Sequence, residues 1–170
     1  MSCKVIFMLM ILAGIVESGF CQTNGYADID QLYADFVIAL KSDNDDKLKA
    51  FSVRISPDES TGEYMKKIGF SYRGIPDKLE TQKVPYSQLA EGYFRDFLKF
   101  RERLKSQHKL STLKYLGRDN KRIGFLTETF NISVSESYIN LISGESTMSV
   151  KIGEMLKINN CWKVFTRPVL

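Results

Sequence analysis

The chain carries a single histidine, His108, and three cysteines, Cys3, Cys21 and Cys161. A lone histidine with no cysteine or acidic cluster beside it supplies no metal-ligand set, so no metal is expected. His108 lies among Ser106, Gln107 and Lys109, just past a helical stretch, which is the setting of an exposed helix end. There is no glycine-rich phosphate loop and no serine-elbow pattern, and no cofactor is expected. The formal charge of +4 is mild for 170 residues and gives no basis for nucleic-acid binding. Past Val16 no apolar run approaches the roughly 20 residues that cross a bilayer. The mature chain should therefore have no transmembrane segment.

The N-terminus is distinctive. Lys4 precedes an apolar run, Val5 to Val16, and small and polar residues follow through Ser18, Gly19 and Cys21. This is the order of a secretory signal peptide. The sequence predicts a signal peptide over 1–21 and one domain over 22–170, exported to a periplasmic or extracellular location. Cleavage after Cys21 leaves Cys161 as a lone thiol. Retention of Cys21 instead opens a Cys21–Cys161 disulfide or a lipid anchor on Cys21. The lipid is the weaker alternative, because a lipoprotein signal places a small residue before its cysteine and this chain has Phe20. With 44% hydrophobic and 26% charged residues, the remainder can build a core of its own.

Helical spacing dominates the first half. Asp28 is a candidate N-cap for a helix in which Ile29, Leu32, Tyr33, Phe36, Val37 and Leu40 recur on one face. Ser42-Asp43-Asn44 breaks it, and Asp45-Asp46 opens a second helix through Lys47 to Phe51. Pro57 with Asp58 and Glu59 begins a further helical stretch reaching Lys67, and a short strand fits Phe70 to Arg73. A long helix follows from Tyr86 to about Gln107, with Ser87 a candidate N-cap. After Leu110 the period changes to two. Strands are expected over Ile123 to Val134, Tyr138 to Ile142, Met148 to Ile158 and Cys161 to Arg167. Ser143-Gly144-Glu145 and Asn159-Asn160 mark turns. Helices precede an antiparallel meander, so the fold class is α+β.

Two segments resemble a known family. The first runs Phe36-Val37-Ile38-Ala39-Leu40-Lys41-Ser42-Asp43-Asn44-Asp45-Asp46-Lys47-Leu48. The second is the terminal hairpin Leu156-Lys157-Ile158-Asn159-Asn160-Cys161-Trp162-Lys163-Val164. Together they resemble secreted bacterial members of the NTF2-like (cystatin-like, SnoaL-type) superfamily. That resemblance implies N-terminal helices packed on a curved antiparallel sheet, a cone with a pocket at its open end. It implies no one function, since such folds host isomerases, dehydratases, hydrolases, carriers and interaction modules. Homodimers through the outer face of the sheet are common in that family. Here Thr127, Thr129, Asn131 and Ser133 make the face polar, so a monomer and a homodimer both stay open.

Two carboxylates interrupt apolar faces. Glu128 is in phase with Leu126 and Phe130, and Glu154 with Ile152 and Leu156. A carboxylate facing the inside of a cone would be desolvated and could serve as a general base. The structural alternative is a bulge that turns each back to water, with Gly153 a natural site for it. Tyr93, Phe97 and Trp162 are candidates to line a pocket for an apolar ligand, and at this spacing they equally fit a core. The stretch from Arg95 to Arg122 is basic and offers an anion-facing surface or a solvated helix face. The expected role is non-enzymatic binding of a small apolar ligand or of an envelope protein. The alternative is a small isomerase- or hydrolase-like enzyme with Glu128 or Glu154 as base.

Overall fold

Helix α1 (Ile29–Lys41) starts where a carboxylate can close it: Asp28 accepts the Asp30 N–H at 2.8 Å. Its buried face is the expected one, Ile29, Leu32, Tyr33, Phe36, Val37 and Leu40. The computed structural model describes residues 25–67, 69, 86–119, 123–125, 133–135 and 138–170. Helix α2 (Asp45–Ile55) is capped by Asn44, which accepts the Asp46 N–H at 2.7 Å. It runs a turn beyond the expected end at Phe51. Ile55 adds a core contact, and the Ser52 hydroxyl is satisfied by the Leu48 carbonyl at 2.9 Å. Pro57 then forces Ser56 into an extended ψ of 145° and stops the helix.

Helix α3 (Glu59–Lys67) opens with a reciprocal cap. Asp58 Oδ1 accepts the Thr61 N–H at 2.8 Å, and Thr61 Oγ1 accepts the Asp58 N–H at 3.3 Å. Helix α4 (Tyr86–Ser106) begins at Tyr86, so Ser87 lies in its first turn rather than at its cap. It ends in a Schellman turn. The Lys109 N–H reaches the Leu104 carbonyl and the His108 N–H the Lys105 carbonyl, both at 2.9 Å. His108 occupies the left-handed position of that turn, with φ of 55°. The exposed helix end is its place in the fold.

Seven strands follow among the described residues: β1 (Lys114–Asp119), β2 (Ile123–Phe125), β3 (Ser133–Ser135), β4 (Tyr138–Ser143), β5 (Ser146–Val150), β6 (Met155–Ile158) and β7 (Cys161–Val164). They form two antiparallel sheets, ordered β1-β4-β5 and β2-β3-β6-β7. The single strand expected over Ile123 to Val134 is replaced by two. Ile123 stands opposite Ser135 and Phe125 opposite Ser133, so the chain reverses between them. Alternation survives such a reversal, because both arms of a hairpin keep period two. The strand expected at Phe70 to Arg73 lies outside the described residues, as do Glu128 and its neighbours Leu126 and Phe130. Asn159 and Asn160, at φ of 49° and 61°, make the tight turn that sets Ile158 opposite Cys161.

One buried cluster joins α1, α2 and α4 to the strands through Phe36, Phe51, Phe97, Leu141, Met155 and Val164. The Phe36 and Phe97 rings meet edge to face at 4.9 Å. The architecture is α+β, with the helices first and antiparallel strands after them. Cys161 is buried and disulfide-bonded in the full-length chain. Cys3 and Cys21 lie outside the described residues.

Two backbone positions yield tests. At Gly153, with φ of 144°, a Cβ would meet the Thr166 carbonyl oxygen at 2.5 Å and Val164 Cγ1 at 2.6 Å. Gly153→Ala should cost about 2–3 kcal/mol. His108→Gly should instead stabilise the chain by up to about 1 kcal/mol, since it removes a side chain from the left-handed position. Urea midpoints measure both, and an unchanged midpoint for Gly153→Ala would contradict the close approach.

Candidate functional site

Helices α2 and α4 lie side by side, and their packing is incomplete at one place. Lys49 and Val53 on α2 face Ala90, Glu91 and Phe94 on α4, with Ser56, Pro57 and Asp58 closing one end. Lys49 and Val53 are four residues apart, as are Ala90 and Phe94, so each pair presents one face of its helix. The small Ala90 leaves the gap. The resulting cavity has a volume of about 230 Å³. Its walls are Val53, Pro57, Ala90 and Phe94, and its charged groups are Lys49, Asp58 and Glu91. Val53 is 46% exposed, an unusual position for a β-branched apolar residue on a helix.

Behind Asp58 lies a buried ion pair. Lys163 on β7 is 1% exposed at its side chain, whereas Asp58 is 37% exposed. The Lys163 ammonium donates to Asp58 Oδ2 at 3.1 Å and to the Arg54 carbonyl at 3.2 Å. That carbonyl belongs to the last turn of α2, where a cation is favoured by the helix dipole. Burial holds the Lys163 pKa below its ordinary value, against the opposing pull of Asp58. For Asp58, burial alone would raise the pKa. The hydrogen bonds from Ser60 and Thr61, with the Lys163 charge, outweigh it and hold the carboxyl at about 2.

The residues singled out from sequence take separate places. Tyr93, Phe97 and Trp162 are all buried in the main core cluster. The Tyr93 hydroxyl donates to the Val164 carbonyl at 2.9 Å, and burial raises its pKa. Glu154 follows the positive-φ Gly153, as a bulge requires, yet its carboxylate does not turn to water. Glu154 is 7% exposed, with Oε1 at 3.9 Å from Lys151 Nζ. Its backbone is tied to the segment after β7, through Thr166 Oγ1 at 2.8 Å and the Phe165 N–H at 2.8 Å. Glu154 does not line the cavity between α2 and α4. Lys163, Asp58, Val53 and Ala90 were not among the site candidates read from the sequence. Lysine in an alternating strand reads as solvent-facing, and a cavity between helices leaves no motif.

Among the described residues, no group of three or more His, Cys, Asp or Glu side chains gathers as a metal site. None of the described helices is long and apolar enough to cross a membrane. Comparison with protein-family models, curated proteins and solved structures finds no match to this chain.

The ion pair sets two expectations. Asp58→Asn keeps a competent N-cap but leaves a buried ammonium without its counter-charge, and should cost about 1–3 kcal/mol. Lys163→Met removes the ammonium itself and should cost less. The folded Asp58 pKa of about 2 lies below the unfolded value of about 4. Its contribution to stability is therefore complete above about pH 4 and is lost as pH falls toward 2. Urea denaturation at pH 7 ranks the two variants. Acid titration of the Asp58→Asn variant should be flatter than wild type in that window.

Proposed function

We propose that this chain is an exported NTF2-like domain that binds a small apolar ligand in the α2–α4 cavity and performs no chemistry on it. The observation that carries this reading is the cavity itself. At about 230 Å³ it exceeds the ~150 Å³ that holds benzene and falls short of the 300–1,000 Å³ of drug-sized sites. It suits one ring or a short alkyl chain. The polar groups around it are poorly equipped for catalysis. The Ser56 hydroxyl is committed to the Ser52 carbonyl at 2.6 Å. Asp58, held at about 2, is a weak base at neutral pH. The helices-then-strands order supports the NTF2-like resemblance.

Export rests on the signal-like N-terminus. The disulfide at Cys161 supports it, because disulfides persist in oxidising compartments. With Cys3 in the leader, we infer that Cys21 is retained in the exported protein as the partner of Cys161, the leader being cut ahead of it. The exported protein, unfolded in guanidinium, should then show no thiol reactive to Ellman's reagent until it is reduced. One reactive thiol per chain would return the cut to the far side of Cys21.

Indole, benzene and hexanol are suitable probes of the cavity, followed by amide shifts in NMR. Saturable shifts should appear at Val53, Ala90 and Phe94. Val53→Trp, at a half-exposed helix position, should fill the space and weaken binding about tenfold or more without loss of helical circular dichroism. Binding unchanged in that variant, or absent for all three probes in wild type, would remove the ligand site.

A further inference from the structure

A second concavity lies on α4, away from the first. At 3.6 residues per turn, Asp96, Lys99 and Arg103 fall on the flank of α4 roughly opposite Ala90, Glu91 and Phe94. The segment after β7 crosses this flank and adds Arg167, Pro168 and Leu170. The cleft between them has a volume of about 440 Å³. Three cationic side chains, Lys99, Arg103 and Arg167, therefore meet one acidic side chain, Asp96.

These cations differ from others on the same helix. Arg101 is buried against Asp45, and Lys105 pairs with Glu102 at 3.4 Å. Among the described residues, no ion pair engages Lys99, Arg103 or Arg167. The Arg103 guanidinium instead lies 5.1 Å from the centre of the Phe100 ring, which fixes it without neutralising it. Arg167 is carried on a restrained strap. Val169 and Lys151 exchange both backbone hydrogen bonds, at 3.0 and 2.7 Å, and on the other side Thr166 Oγ1 accepts the Glu154 N–H. Convergent cations on restrained backbone reduce the ordering cost of binding.

We infer that this cleft binds an oxyanion, a phosphate or carboxylate head group, with Lys99, Arg103 and Arg167 as its donors. Two guanidinium forks and an ammonium match the geometry and charge of such groups. Phe100, Pro168 and Leu170 give the remaining wall an apolar character, which favours a head group carrying a short hydrocarbon portion. The site is independent of the α2–α4 cavity, since the two share no residue.

The test is an NMR titration of the full exported chain at low ionic strength with inorganic phosphate and, separately, with octanoate. Saturable shifts should cluster at the amides of Lys99, Arg103 and Arg167, with octanoate the tighter ligand. Lys99→Gln and Arg167→Gln should each weaken binding about tenfold. Lys114→Gln, which removes the same charge on β1 outside the cleft lining, should leave it unchanged. Equal losses in Lys99→Gln and Lys114→Gln would overturn the proposal, since binding would then follow net charge alone. No saturable shift with either anion would also overturn it. Phosphatidylglycerol vesicles separate the sources of the head group. Vesicle binding lost in Arg167→Gln supports the site and assigns it a lipid head group, whereas vesicle binding that survives both Gln variants overturns it.

Discussion

A lysine ammonium sealed from water sets the geometry around it. Moving such an ion out of water costs several kcal/mol unless partners replace its hydration. Lys163 finds two, the Arg54 carbonyl at the end of α2 and the Asp58 carboxylate at the start of α3. Both must reach the same point on β7, so the turn between the two helices is fixed relative to the last strand. Arg54 extends the constraint through its side chain. Its Nε donates to the Gly25 carbonyl at 3.1 Å, and its guanidinium covers the Tyr26 ring at 3.8 Å. Tyr26 in turn accepts the Trp162 N–H at 2.8 Å, next to Lys163. The first described residues, two helix ends and the final strand are thereby held at one junction.

The junction at the other end of α2 obeys the same chemistry. Arg101, buried on α4, donates to the Ser42 carbonyl at 3.2 Å, just past α1, and to the Asp45 carboxylate in the first turn of α2. Each cation thus joins a carbonyl at the end of one helix to a carboxylate at the start of the next. Helix α2 is pinned at both ends. That matters for the space between α2 and α4, because a packing gap shrinks when its walls are free to move. Pinned ends hinder such closure, so the gap beside Ala90 persists as a cavity.

Much of this was visible in the sequence, and what was hidden has identifiable causes. Periodicity and cap chemistry located α1, α3 and α4, because Asp28, Asp58 and the apolar rows act within a few residues of chain. Asn159-Asn160 announced the final hairpin for the same local reason. The reversal between Ile123 and Ser135 was concealed, since no Gly or Pro falls between Phe125 and Ser133. Lys163 was concealed by its partners' distance in sequence: Arg54 and Asp58 lie more than a hundred residues earlier. Glu154 was marked as an anomaly on an apolar face. Its resolution depended on Lys151 and on contacts with the strap after β7, which alternation alone does not reveal.

Helix α4 shows how phase, rather than residue type, distributes roles. Its aromatic residues are alike in type, yet Tyr93, Phe97 and Phe100 are buried in the core while Phe94, partly buried against it, lines the cavity. Its basic residues formed another group, yet Arg101 is buried in an ion pair while Lys99 and Arg103 face the cleft. Phe100 stands where core and cleft meet, buried by one and carrying Arg103 over its ring for the other. A helix whose core face is fixed by packing has two flanks left. Small or apolar residues on one flank leave a recess, and cations outside any ion pair gather on the other. The same 21-residue helix therefore borders an apolar recess on one side of its core face and a basic cleft on the other.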